Sequence, residues 1–364
     1  MHIAFFAMSL NRGGSERVIV NLCNECLVKR HKVTIITCLS DDACFKLDGQ
    51  IVHRKIDKNE IQRKQNKAQR FLRRRKGFEE TVKKIHPDII ACFLPEPSFI
   101  ALSLKKSFQI PLIVSERADP SLEYRALIYR IMIKVLYRNG DGFVFQTEDA
   151  KKYFDSGIQL KSVIIPNSLS PDAMRTPYMG ERNKEIVAVG RLVSEKNYPM
   201  LFHAFQKIAD DFPDYVLRIY GEGELYSDLE HLIAALGLKE RIFLMGRKDH
   251  IFDLISQSAL FVLSSAHEGM PNALMEAMAL GLPVISTDCP CGGPRSLIRN
   301  GYNGILVEND NAEVMADGMR QILSDLDFAE ELARNARGIA QMLNPEKINK
   351  QWEDYICKIA KKGT

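Results

Sequence analysis

Residues 268–284 read Glu-Gly-Met-Pro-Asn-Ala-Leu-Met-Glu-Ala-Met-Ala-Leu-Gly-Leu-Pro-Val. Pro271 suits the first turn of a helix, where its missing N–H costs nothing. Over 273–280 Glu276 is the only polar residue, so the helix is apolar on nearly all sides and belongs in an interior. A strand expected at 260–263 precedes it and another at 283–286 follows. Strand, buried helix and strand in that order are the repeating unit of a parallel sheet covered by helices.

The same alternation extends in both directions. Toward the amino end, strands are expected at 2–8, 32–38, 88–93, 111–114, 142–145 and 162–165, each β-branched or aromatic and each separated by a helix-length amphipathic stretch. The pattern then restarts, with strands at 185–189, 215–220, 241–244, 260–263, 283–286 and 304–307. The joint is placed at 166–176, PNSLSPDAMRT, which is rich in turn residues and lacks periodicity. The expected fold class is therefore α/β, two doubly wound Rossmann-like domains, 1–168 and 169–345. A last helix over 346–364 is long enough to reach back across the joint. Ligands of open α/β sheets bind outside the carboxyl ends of the strands, so a cleft between the two sheets is the default site.

Composition narrows the class further. The 364 residues are 46% hydrophobic and 26% charged, which excludes a disordered, collagenous or coiled-coil chain. No apolar run reaches membrane-spanning length, and the first ten residues lack a basic region and a cleavage site, so the chain is expected in the cytoplasm. Eight cysteines in such a chain read as reduced thiols. Cys23 and Cys26 form a CxxC, but inside an amphipathic helix. The net charge of +4 conceals an asymmetry: residues 1–170 hold 29 Lys and Arg against 18 Asp and Glu, and the remainder 21 against 28. A basic half beside an acidic one implies that only the first faces an anionic surface.

Four groups of residues carry possible chemistry. Gly13 and Gly14 follow the first strand and open the first helix, as either a tight turn or an amide-lined site for phosphate or sugar. Gly190 and Arg191 follow the first strand of the second half, and Lys196 lies five residues beyond Arg191; as more than solvated surface cations, the two would clamp a diphosphate. Glu276 in its apolar helix needs partners, either donors in the core or ligand hydroxyls. Glu268 precedes that helix and would lie at its mouth, beside the free amides of residues 269–274, namely Gly269, Met270, Asn272, Ala273 and Leu274. Asp325 and Asp327 form the only D-x-D, between surface-type helices, and no metal site is expected.

Together these segments resemble glycosyltransferase family 4, retaining enzymes of the GT-B fold that use nucleotide sugars. The resemblance spans almost the whole chain and rests on the Gly13-Gly14 loop, the GRL…EK segment over 190–196, the EG…P…E segment over 268–276 and the Gly-Leu-Pro-Val strand after it. It implies that Glu268 contacts the donor sugar, that Glu276 holds the ribose hydroxyls, and that Arg191 and Lys196 neutralise the diphosphate. Residues 145–147, 165–168 and 289–295 look most like the bacterial surface-polysaccharide branch with amylovoran and N-acetylgalactosaminyl transferases. One departure stands out: where many members carry a histidine near the reacting sugar, this chain has Glu116 and then Arg117. Arginine cannot act as a base, so an acceptor or sugar contact, to a hydroxyl or a phosphate, is the role left to this pair.

From Arg54 to Lys76 there are eleven Lys and Arg against Asp57 and Glu60, with apolar residues recurring at steps of three, four and seven. This predicts a basic amphipathic helix, either solvated or lying on anionic lipid through Arg63, Lys64, Lys67, Arg70, Arg73, Arg74 and Arg75. The stretch 124–138 mixes apolar residues with Arg125, Arg130, Lys134 and Arg138 and is expected on the same surface. The cluster over 54–76 is expected to be helical beside an apolar stripe and has a single aromatic residue, Phe71, among its arginines, which argues against nucleic acid as a partner. The leading expectation is a transferase, without cofactor, moving a hexose or N-acetylhexosamine from a UDP-sugar to an undecaprenyl-diphosphate-linked glycan at the inner face of the membrane. A sugar-nucleotide epimerase of the same architecture is the alternative.

Overall fold

A computed structural model describes residues 1–11, 14–39, 47–56 and 66–362. Contacts divide the chain into two units, 1–168 with 346–364 and 169–345.

The first unit holds a seven-stranded sheet. Its strands are β1 (His2–Ala7), β2 (Lys32–Thr37), β3 (Val52–Lys55), β4 (Ile89–Phe93), β5 (Leu112–Ser115), β6 (Gly142–Phe145) and β7 (Ser162–Ile164). Their order is β3-β2-β1-β4-β5-β6-β7, parallel throughout. Strands β1, β4, β5 and β6 are buried at every position, as expected where helices cover both faces of a sheet. β3 stands where the sequence predicted the start of the basic helix. Its residues, Val-His-Arg-Lys, are half-buried or exposed, and an edge strand of such polarity carries no apolar period to betray it. The helix itself runs Lys67–Ile85, opened by a capping box in which Asn66 accepts from the Gln69 N–H and Gln69 accepts from that of Asn66. Cys23 and Cys26 lie in the helix Gly14–Val28, and burial raises both thiols, Cys26 to about 12.

The closing helix Pro345–Lys362 packs on this first sheet. Trp352 is fully buried and stacks on Phe93 with ring centroids 5.7 Å apart. The Tyr355 hydroxyl accepts from the Phe143 amide at 2.9 Å and donates to the Lys161 carbonyl at 2.5 Å. A Cβ at Gly142 would meet that hydroxyl at 2.7 Å, so the glycine is what lets the helix approach the strand.

The second unit repeats the plan with β8 (Asn183–Val189), β9 (Val216–Tyr220), β10 (Ile242–Gly246), β11 (Ser258–Leu263), β12 (Val284–Thr287) and β13 (Ile305–Val307). The order is β10-β9-β8-β11-β12-β13, again all parallel. Its core joins Phe202 and Phe205 of the helix Tyr198–Ile208 to Leu217, Ile219, Leu260, Val262, Met315 and Met319.

Candidate active site

The second sheet's central strands deliver the predicted residues to one carboxyl edge. β8 ends at Val189, and Gly190 and Arg191 follow; the 3-10 turn Ser194–Lys196 and the left-handed Asn197, φ 46°, lead into the helix Tyr198–Ile208. Two glycines that the sequence reading missed shape this turn. A Cβ at Gly221, after β9, would lie 1.8 Å from the Gly190 carbonyl, and one at Gly223 would lie 2.3 Å from that of Leu192. The Gly-Glu-Gly-Glu run at 221–224 was the available signal, since paired glycines after a strand mark a close backbone approach.

After β11 the chain turns through 264–271 into the helix Asn272–Ala279. This loop is fastened to the one after β8: the Ser264 hydroxyl donates to the Lys196 carbonyl at 2.8 Å, and the Ala266 amide to that of Glu195 at 2.8 Å. It is also fastened to the loop after β12, where Thr287 donates to the Ser265 carbonyl at 2.6 Å and the Glu268 amide to that of Pro290 at 3.0 Å. A Cβ at Gly293 would strike the Gly269 carbonyl at 2.0 Å. Three loops from three strand ends thus form one rigid rim.

On that rim Lys196 and Glu268 form an ion pair, and the Ser265 hydroxyl donates to the same Glu268 oxygen at 2.8 Å. The two side chains are 19% and 14% exposed, dry enough for the pairing to matter and open enough for a ligand to reach it. Separate roles for the cation and the acid were expected; here they hold each other. Arg191 is exposed and makes no ion pair among the described residues. Glu276 is buried on the helix Asn272–Ala279, as its apolar surroundings predicted. Met270 and Leu274 are buried as well, which leaves their backbone as the part a ligand could touch, whereas Gly269, Asn272 and Ala273 are partly accessible. Burial and the Glu268 charge raise the Cys289 thiol to about 12, which favours its neutral form.

The first unit places Glu116 and Arg117 just after β5, with opposite fates. Glu116 is buried, and its Oε1 accepts from the Tyr124 hydroxyl at 2.7 Å and the Tyr137 hydroxyl at 2.5 Å, the two hydroxyls lying 2.8 Å apart. Burial pushes this carboxyl up to about 7, against the opposing pull of the two hydroxyls. The carboxyl expected to make an acceptor or sugar contact lies among aromatic side chains, with these two hydroxyls as its partners. Arg117 is half-buried, its guanidinium 5.1 Å from the Trp352 ring and 5.5 Å from that of Phe93. Its Nη1 donates to Asn167 Oδ1 at 3.0 Å, which also accepts from Gln146 at 2.7 Å. Nε and Nη2 are buried with no partner among the described residues, and burial lowers the group to about 9. A cation so placed has two donors in reserve for an anion or hydroxyl.

The basic cluster is also reassigned in part. Gly13, Arg63 and Lys64 lie outside the described residues. On the helix Lys67–Ile85, Lys67 and Arg70 are exposed, but Arg74 is buried and paired with Glu96 at 2.6 Å, and Arg75 donates to Ser103 at 3.1 Å. These two arginines hold the helix Pro95–Phe108 instead of reaching outward, because Phe78 and Val82 dock that face inward. Asp325 caps the helix Leu326–Ala336 by accepting from the Phe328 amide at 3.0 Å. Among the described residues no three His, Cys, Asp or Glu are grouped to hold a metal, and no helix is long and apolar enough to cross a membrane.

Comparison with known proteins bears on the whole chain. The Glycosyltransferase Family 4 model matches residues 12–173, and that of Glycosyl transferases group 1 matches 175–339. A Campylobacter jejuni enzyme named GalNAc-alpha-(1->4)-GalNAc-alpha-(1->3)-diNAcBac-PP-undecaprenol alpha-1,4-N-acetyl-D-galactosaminyltransferase is 24% identical, with 99% of each chain covered. The amylovoran biosynthesis glycosyltransferase AmsD of Erwinia amylovora is 24% identical over 95% of this chain and 96% of that one. The solved structure of Alr3699/HepE from Anabaena in complex with UDP superposes with a TM-score of 0.81, at 18% identity over 98% of this chain and 100% of that chain; at that identity the likeness speaks for the fold. Both sheets, in the order described, are those of GT-B domains, and the chain belongs to the glycosyltransferases, a Glycosyltransferase Family 4 domain followed by a Glycosyl transferases group 1 domain.

Proposed function

We propose that the chain transfers a hexose or N-acetylhexosamine from a UDP-sugar, with retention of configuration, to an undecaprenyl-diphosphate-linked glycan of a bacterial surface polysaccharide or glycoprotein. The observation that carries this reading is the Lys196 and Glu268 pair, held with Ser265 on a rim beside exposed Arg191 and above the helix bearing buried Glu276. The diphosphate draws Lys196 and Arg191; charge growing on the leaving phosphate is then met by cations already in place, which lowers the barrier without a metal cofactor. Glu268, released from Lys196, takes the sugar hydroxyls, and Glu276 the ribose. Arg117 offers its two unfilled donors to a hydroxyl or phosphate. The lipid-linked acceptor is supported by the name of the Campylobacter jejuni relative, and the uridine nucleotide by the UDP in the Anabaena structure. An anionic surface at the inner face of the cytoplasmic membrane is supported by the charge of the first half.

The test is incubation of purified protein with a panel of nucleotide sugars and an undecaprenyl-diphosphate glycan, followed by the mass of the lipid product. A mass gain of one or more hexose or N-acetylhexosamine units is expected with a uridine donor. A changed sugar nucleotide released with no acceptor consumed would instead identify an epimerase.

A further inference from the structure

The helix Leu127–Leu136 has apolar side chains on two opposite sides. At 100° per residue, Tyr129, Met132, Ile133 and Leu136 share the inner arc; Ile133 is buried, and Tyr129 stacks on Phe99 at 6.0 Å. The outer arc, about 100° wide, carries Leu127, Ile128, Ile131 and Val135, which are 71%, 58%, 48% and 61% exposed. Residues 125–140 contain Arg125, Arg130, Lys134 and Arg138, all exposed, and no Asp or Glu. None of these four cations makes an ion pair among the described residues.

We propose that this outer face is the part of the molecule that seats on an anionic bilayer, the four aliphatic side chains entering at headgroup level and the flanking cations meeting lipid phosphates. The inference rests on the lipid-linked acceptor proposed above and names the surface that would meet the lipid. Ten residues make a helix about 15 Å long, too short to span the hydrocarbon but sufficient to lie in the interface. A contiguous aliphatic face ringed by one sign of charge is poorly suited to water. A second copy of the chain fits it badly, because a two-fold contact sets the same patch against itself and brings four cations to four. The helix Lys67–Ile85 offers charge without comparable apolar area: Phe78 and Val82 are buried, and Leu72 is its exposed large aliphatic side chain.

Flotation with vesicles of phosphatidylglycerol and phosphatidylcholine tests the assignment with neither donor nor acceptor present. Wild type should float, and the variant Leu127→Ser/Ile131→Ser/Val135→Ser should partition at least tenfold less, with its circular dichroism unchanged because all three positions are exposed. In a second measurement on single-site Ile131→Trp, the added exposed indole should shift its emission to the blue on these vesicles and not on phosphatidylcholine alone. Equal flotation of wild type and the triple variant, failure of wild type to float, or an Ile131→Trp emission that ignores the vesicles would each overturn the proposal. So would a wild-type dimer that the triple variant turns monomeric while vesicles bind neither, the signature of a second copy on this face. If flotation depends on these three residues but no sugar reaches the undecaprenyl acceptor, the acceptor reading fails and the lipid-seating face stands.

Discussion

Lys196 and Glu268, 72 positions apart in the chain, are joined side chain to side chain on the rim formed by the loops after β8 and β11. The same Glu268 oxygen accepts from Ser265. On the proposed function a diphosphate arriving there would compete with a carboxylate for the lysine, and the two residues would act as one unit whose pairing the ligand rearranges. Their contributions cannot be assigned independently.

The first prediction follows from that coupling. Lys196→Met should reduce turnover about 10²- to 10³-fold, because the leaving phosphate loses a preorganised counter-charge. Glu268→Gln should also cost activity, yet the double variant should be little worse than the weaker single one. Steady-state rates for wild type and the three variants form the cycle. Strictly multiplicative losses would show that Lys196 and Glu268 act independently and that their pairing carries no coupling.

Nucleotide binding separates the two acids. Glu276→Gln turns a two-acceptor group into a mixed one and should weaken uridine diphosphate and the full donor alike, by about tenfold or more. Glu268→Gln should weaken only the sugar-bearing donor and leave free nucleotide bound as well as, or better than, in wild type, since Lys196 no longer has a competing carboxylate. Calorimetry with both ligands decides it; equal losses in the two variants would remove the division of roles.

What the sequence disclosed and what it hid divide along physical lines. Among the described residues twelve of the thirteen strands are legible as short β-branched or aromatic runs, most plainly where the strand is buried on both faces, as in Ile89–Phe93 and Ser258–Leu263. β3 is not, because Val52–Lys55 lies at an edge and is half wet. Glu276 could be placed in the interior from its neighbours alone. The partners of buried polar groups could not: nothing local to Glu116 announces Tyr137, and nothing local to Arg74 announces Glu96, since each pairing depends on where separate elements meet. The run of arginines looked uniform, and packing sorted it into exposed and committed members.

That sorting is itself testable. Arg74→Gln should destabilise the protein by about 1–3 kcal/mol, because the charge-assisted bond from the buried guanidinium to the part-exposed Glu96 is lost. Arg70→Gln, at an exposed position four residues earlier, should change stability by less than about 0.5 kcal/mol. Urea unfolding of the two single variants compares them directly. Equal, small effects would mean that Arg74 is as free as its neighbour and that the Glu96 contact contributes nothing.

The last prediction concerns Glu116, whose carboxyl is pushed up to about 7 from an ordinary 4.5 by burial against Tyr124 and Tyr137. A raised acid favours the protonated form in the folded state, so the unfolded chain releases its proton first as pH rises. Between about 4.5 and 7 the folded state therefore holds more protons than the unfolded one, and stability falls with rising pH across that window. The advantage of the neutral carboxyl is complete below about 4.5 and lost as pH passes through 7. A difference of this size corresponds to at most about 3 kcal/mol. Glu116→Gln keeps a neutral acceptor for both hydroxyls and has no proton to lose, so its stability should not share that decline. The chain has a single tryptophan, Trp352, buried against Phe93 in the same unit, and its fluorescence reports unfolding of that unit. Urea unfolding from pH 4.5 to 8 should show wild type losing ground steadily to Glu116→Gln up to about pH 7 and then more slowly above it, the gap still widening as the residual folded-state protonation is lost. Parallel curves over the whole range would mean that Glu116 is ionised in the folded protein throughout, and that the two tyrosine hydroxyls outweigh its burial.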